Sequence, residues 1–128
     1  KIPSIFGTCA GAILLAKKIY NASIGQKTLE LMDIEVDRNA YGRQTDSFEK
    51  EVKTTLGNMS AVFIRAPKIC KIGQNVTILS KDSDVVIACE QYIDNHYYLA
   101  LSFHPELTTT LFHEYFILQS LKLAKGSS

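Results

Sequence analysis

The sequence predicts an α/β domain of three layers with a mixed sheet, interrupted by an antiparallel insertion. Three observations lead there. A short apolar run at the start ends in glycine and passes directly into a helix-forming stretch. A second apolar run near the end is followed by a long helical pattern, and the residues between the two are rich in short β-branched segments.

Taken in order, Ile2–Phe6 is a buried strand that stops at Gly7. Ala10–Tyr20 reads as a mostly apolar helix, with Lys17 and Lys18 placed well for its C-terminal end. Asn21–Thr28 is polar and forms a loop, and Met32–Val36 is strand-like. Asp37–Ser47 holds too much Gly, Asn and Asp for a strand interior and reads as a loop or irregular edge. Ala61–Ile64 is a short strand stopped at Arg65-Ala66-Pro67. Val76–Leu79 and Val85–Cys89 make a hairpin across the turn-forming Lys81-Asp82-Ser83-Asp84. Tyr97–Phe103 is a strand ending at His104-Pro105. Thr110–Lys125 closes the fold as a helix whose Leu111, Tyr115, Leu118 and Leu121 are spaced to face the core. The domain is expected over residues 1–125, with 126–128 as a flexible tail.

Composition excludes several classes of function. With 14 basic and 13 acidic residues well mixed, there is no electrostatic footprint for nucleic acid or an anionic membrane. No apolar run approaches the length of a membrane span. The three cysteines, Cys9, Cys70 and Cys89, are widely spaced and cluster with no histidine, against both a disulfide framework and a structural metal site. A cytoplasmic, reducing location is expected. The chain opens abruptly on the run-in to a strand, so further residues are expected upstream of Lys1.

Two segments carry chemistry. Gly7-Thr8-Cys9-Ala10-Gly11 lies between a strand and a helix, the cysteine counterpart of a nucleophile elbow. Such a turn strains its central residue and needs small neighbours, which Gly7, Ala10 and Gly11 supply. A thiol at a helix start is expected to have a lowered pKa, and the N–H of Ala10 is placed to bind an oxyanion. A small core cysteine beside turn glycines gives the same bare match; the strand–turn–helix setting favours the nucleophile. The second segment is Ser102-Phe103-His104-Pro105-Glu106. Across the proline, His104 and Glu106 can point the same way, as a base and the carboxylate that orients it. A surface ion pair has the same spacing, and placement beside the Cys9 strand separates the two readings. His96 reads as a loop-tip residue, His113 as a surface or boundary residue of the last helix, and Cys70 and Cys89 as inert strand or core thiols.

All three arginines, Arg38, Arg43 and Arg65, fall in Asp37–Gln44 and Phe63–Pro67. A planar fork suits a substrate carboxylate. Loop-anchoring ion pairs explain such arginines equally well, and Arg43 fits that role better.

Phe6–Gly11 with Ile13–Ala16, Val36–Gln44 with Asp46-Ser47-Phe48, Val62–Pro67 and Ser102–Thr108 together resemble the class I glutamine amidotransferases. Within that class they resemble the glutaminase branch serving pyridoxal 5′-phosphate synthesis. The resemblance covers essentially the whole chain before the tail. It implies a flavodoxin-like fold and hydrolysis of L-glutamine to glutamate and ammonia, without cofactor or metal. Cys9 would form a γ-glutamyl thioester, His104 would move protons, Glu106 would orient the imidazole, and Arg38, Ile64 and Arg65 would meet the glutamine. The ammonia would pass to a barrel-shaped synthase subunit that activates the glutaminase on docking. Relatives carry a first βα unit and a Gly-Gly-Glu-Ser loop ahead of the elbow, so that N-terminal part is expected to be missing from these residues. Leu29-Glu30-Leu31 also departs from relatives, which often have glycine in place of the glutamate. Two other readings are an inactive docking or regulatory subunit, which the intact Cys9–His104–Glu106 set opposes, and a γ-glutamyl hydrolase without a synthase partner, which Arg38–Gln44 and Phe63–Pro67 oppose.

Overall fold

The computed structural model of the chain describes residues 4–22, 25–38 and 48–126. Within them one mixed sheet is built around two neighbouring strands, β8 (Val85–Ile93) and β9 (His96–Leu101). β9 pairs antiparallel with β8 and parallel with β1 (Ser4–Thr8). One arm of the sheet leaves β8 through β6 (Lys68–Ile72) to β3 (Met32–Asp37) and β2 (Ala16–Tyr20). The other leaves through β7 (Thr77–Asp82) to the hairpin of β4 (Phe48–Thr54) and β5 (Gly57–Phe63).

β9 shows why there are three layers. Every residue from Tyr97 to Leu101 is buried, as expected of a strand covered on both faces. Tyr98 and Ala100 join a core with Ala12, Ile13 and Leu15 of helix α1 (Ala10–Leu15). Tyr97, Leu99 and Leu101 join the opposite core, with Phe112 and, more peripherally, Tyr115 and Phe116 of α2 (Leu111–Gly126). Alternation along one strand therefore divides the apolar residues between two helical layers. No described helix is long and apolar enough to cross a membrane.

The structure corrects several expectations. The helix predicted to run to Tyr20 stops at Leu15, and Ala16 is already extended, with ψ of 152°. Ala16–Tyr20 is instead β2, whose Lys18, Ile19 and Tyr20 pair with Glu35, Val36 and Asp37. Ile19 and Tyr20 favour a pleated strand, and Lys17 reaches Asp33 in an ion pair, so neighbouring β3 outbids helix continuation. β4 and β6 had no sequence forecast, and β5 begins four residues before the predicted Ala61. β9 ends at Leu101, not Phe103, and His96 begins that strand opposite Ile93. The turn between them uses Asp94 and Asn95, both at positive φ (45° and 67°), as a tight two-residue hairpin requires.

In α2, Leu111 and Tyr115 pack partly on the core, but Leu118 and Leu121 do not: each is 56% exposed. The buried face turns through Phe112 and Phe116. Gly126, assigned to a tail, belongs to α2. Residues 1–3, 23–24 within the predicted loop Asn21–Thr28, Arg43 with the rest of the 39–47 stretch, and 127–128 lie outside the described residues.

Candidate active site

The site begins with how closely strand and helix meet at the elbow. A Cβ on Gly7 would fall 2.6 Å from the backbone carbon and oxygen of Gly11, which no side chain can do. Gly11 itself has nothing within 4 Å of an added Cβ, so the relief predicted for both glycines is needed only at Gly7. Cys9 then takes φ 53° and ψ −108°, outside the ordinary regions for a residue with a side chain. Its N–H donates to the carbonyl of Leu101 at 2.8 Å, which ties the elbow to the C-terminal end of β9. Because β1 and β9 run parallel, with Thr8 opposite Leu101, both motifs emerge at the same end of the sheet, past the carboxyl ends of the two strands.

The thiol donates to the carbonyl of Ile64 at 3.4 Å. Three residues beyond Leu101, His104 donates its own N–H to Val62 at 2.8 Å, forming an isolated antiparallel bridge. The segment Val62–Ile64 therefore touches Cys9 at one end and His104 at the other. His104 Nδ1 lies 2.8 Å from Glu106 Oε2 across Pro105, which opens a single 3-10 turn (Pro105–Leu107). This is the orientation that Pro105 was expected to enforce.

Burial pushes the Cys9 thiol up, and the charge of Glu106 adds to this; the hydrogen bond from Ala10 opposes them without reversing the direction. The lowered pKa expected from a helix start does not occur. α1 has only six residues and a correspondingly small dipole, while the half-buried sulfur loses solvation. At neutral pH the resting Cys9 is therefore a thiol, and a nucleophilic role would require its proton to be removed during attack. Burial also pushes Glu106 up, but its own backbone N–H and the His104 ring outweigh this and hold it below the usual carboxylate value. Glu106 is therefore ionised at neutral pH and favours the tautomer with hydrogen on Nδ1, leaving Nε2 free to accept.

Of the substrate residues predicted from sequence, Ile64 meets Cys9 through its carbonyl, and Arg65 follows it with a positive φ of 47° where the chain turns away from β5. Arg38 lies just past β3, on the arm of the sheet beyond β6, its N–H bonded to the carbonyl of Tyr20 at 3.1 Å. Cys89 is fully buried in the core, whereas Cys70 is exposed on β6 and donates to the carbonyl of Glu35 at 3.4 Å. His113, expected at a boundary, sets its ring edge against Phe6 with centroids 5.2 Å apart. Among the described residues, no three His, Cys, Asp or Glu side chains gather to hold a metal. Sequence reasoning missed the carbonyls of Val62 and Leu101, because a backbone acceptor leaves no mark in residue type.

A model of the SNO glutamine amidotransferase family matches residues 2–122. The chain is 48% identical over 124 residues to pyridoxal 5′-phosphate synthase subunit PdxT of Halalkalibacterium halodurans, covering 94% of this chain and 60% of that protein. It is 47% identical over 122 residues to the PdxT of Methanocaldococcus jannaschii, covering 92% and 62%. A crystal structure of a glutamine amidotransferase superimposes with a TM-score of 0.77 at 43% identity, over 94% of this chain and 60% of the other. The architecture is thus the flavodoxin-like α/β fold of class I amidotransferases. The chain spans about 60% of the length of the curated relatives it matches.

Proposed function

The chain belongs to the SNO glutamine amidotransferase family, and from that premise we propose that it carries the catalytic triad of a glutaminase. The reaction is hydrolysis of L-glutamine to L-glutamate and ammonia. The ammonia is delivered to a barrel-shaped pyridoxal 5′-phosphate synthase subunit, in the cytoplasm, where the three free thiols stay reduced. The observation that carries the reading is the convergence on Val62–Ile64 of the strained Cys9 elbow and the His104–Glu106 pair, 2.8 Å apart.

The Cys9 thiol leaves the Ile64 carbonyl and passes its proton to Nε2 of His104 as Sγ attacks the side-chain amide carbon of glutamine. Negative charge gathers on the amide oxygen, which the N–H of Ala10 receives. Glu106 stabilises the imidazolium. The C–N bond then breaks, His104 returns the proton to the departing nitrogen, and ammonia leaves a γ-glutamyl thioester on Cys9. Water, deprotonated by the same imidazole, cleaves the thioester to glutamate and restores the thiol. Arg38, Ile64 and Arg65 hold the glutamine, the guanidinium groups suiting its α-carboxylate. An inactive docking subunit would have no need to keep Cys9 strained or Glu106 ionised beside His104.

The test is mass spectrometry of the full chain after incubation with a glutamine-like diazoketone in the presence of the barrel subunit. One adduct, on Cys9 and blocked by glutamine, is the expected result. Cys9→Ala should give neither adduct nor ammonia. Hydrolysis persisting in that variant would overturn the assignment.

A further inference from the structure

Three carbonyls of β5 and its exit, those of Ser60, Val62 and Ile64, accept from three separate parts of the site. Ser60 receives the Thr108 hydroxyl at 2.5 Å, Val62 the His104 N–H at 2.8 Å, and Ile64 the Cys9 thiol at 3.4 Å. Alternate carbonyls of an extended strand point to one edge. The other edge of β5 is occupied by β4, paired from Gly57 to Phe63. The nucleophile and the His104–Glu106 turn are thus set against one edge, formed by β5 and its exit.

On that edge the turn has two anchors. Its upstream end is the His104–Val62 bridge. Its downstream end is Thr108, which closes the 3-10 turn by donating its N–H to Pro105 at 3.1 Å while its hydroxyl crosses to Ser60. Ser60 is in turn fastened to β4, through its hydroxyl on Glu49. With only the upstream anchor, the turn could pivot about His104, and the Glu106 carboxylate would swing relative to the imidazole.

We propose that Thr108 is a positioning residue of the glutaminase: clamped to the Ser60 carbonyl, its hydroxyl fixes the turn that aims His104 and Glu106 at Cys9. Among the described residues its hydroxyl meets only backbone carbonyls, those of Ser60 and, at 3.4 Å, Pro105, so it acts through the turn, and the inference rests on the glutaminase reading above.

The experiment compares Thr108→Val, Thr108→Ser and Cys9→Ala in the full chain, measuring ammonia release with the barrel subunit present. Thr108→Val keeps the shape of the side chain and removes the donor. It should lower kcat on the order of tenfold with KM little changed, a small misplacement of a catalytic group being enough for that. The acidic limb of its kcat–pH profile should shift, because the Glu106 carboxylate, held low in part by its hydrogen bond to the His104 ring, loses its fixed placement. Thr108→Ser should restore both. A Thr108→Val enzyme with unchanged kcat and pH profile overturns the proposal. So does a variant that loses kcat and thermal stability together while Thr108→Ser is equally impaired, since that marks a general folding role. Undiminished ammonia release by Cys9→Ala removes the glutaminase reading and this role with it. Abolished release by Cys9→Ala beside a normal Thr108→Val removes the positioning role alone.

Discussion

The backbone N–H of Cys9 donates to the carbonyl of Leu101 at 2.8 Å, so the elbow is fastened to the strand that leads into His104 three residues later. Cys9 and His104 are far apart in sequence, yet a hydrogen bond between parallel neighbours sets their offset. The relation depends on Gly7, because only a bare backbone lets β1 and α1 come close enough to hold Cys9 in its strained conformation.

Gly7→Ala should therefore destabilise the fold by about 1–3 kcal/mol or more, the range for forced overpacking, at its upper end where the backbone cannot yield. Gly11→Ala, at a helical position with open space, should fall within about 1 kcal/mol of the parent or gain slightly from helix propensity. Urea unfolding of both variants decides it. Equal effects would mean that the close approach at Gly7 is not a constraint.

The raised pKa of Cys9 makes a kinetic prediction. Thiolate is the reactive form, so alkylation of Cys9 by iodoacetamide without glutamine should climb with a midpoint above the ordinary thiol value of 9.0. A midpoint near neutrality would show that the elbow activates the resting thiol by itself.

Glu106→Gln retains size and removes charge. It should lower kcat on the order of 100-fold, the scale of acid–base catalysis, through loss of the imidazolium's partner. Stability at neutral pH should change by less than about 1 kcal/mol, because the carboxylate is 43% exposed and screened by solvent. A depressed carboxyl pKa stabilises the fold above the unfolded value and loses that contribution as pH falls through the folded one. Parent and variant should therefore converge in thermal midpoint under acid. Unchanged kcat in the variant would remove Glu106 from the triad.

Alkaline stability is governed by groups that the core keeps neutral. Burial pushes Cys89 from an ordinary value of 9.0 up to about 12, and burial together with hydrogen bonding to Glu90 raises the Tyr97 phenol. Between those limits the folded state holds a proton that the unfolded thiol has lost. The stabilising contribution is whole below pH 9.0 and declines as pH rises towards about 12, at up to about 1.4 kcal/mol per pH unit for each such group. Melting curves across that range should show the decline, and Cys89→Ala should flatten part of it. Parallel curves for parent and variant would contradict the assignment.

What was legible in the sequence depended on whether a residue's role is written in its side chain. The elbow at Cys9 and the pairing of His104 with Glu106 are of that kind, and so are the continuous apolar run of β9 and the start of α2. β4 was not, since Phe48–Thr54 buries only Val52 and owes its strand to pairing with β5. β2 was hidden because Lys17 and Lys18 suit a helix end as well as an exposed strand. The exposed Leu118 and Leu121 show helical spacing without the neighbours to cover it. The contact between Cys9 and Ile64 spans 55 positions and uses a carbonyl, so residue types could not announce it.

The alternating carbonyls of Ser60, Val62 and Ile64 also limit how this stretch of chain can change length. Removing or adding one residue there would turn every downstream carbonyl to the opposite edge, and Cys9 and the His104–Glu106 turn would lose their shared reference together. The Ser83-Asp84 turn bears no such parity and can absorb an extra residue locally. Insertions and deletions in this lineage should therefore collect at the hairpin tips and leave the count from Ser60 to Ile64 untouched, even where the residues themselves are exchanged.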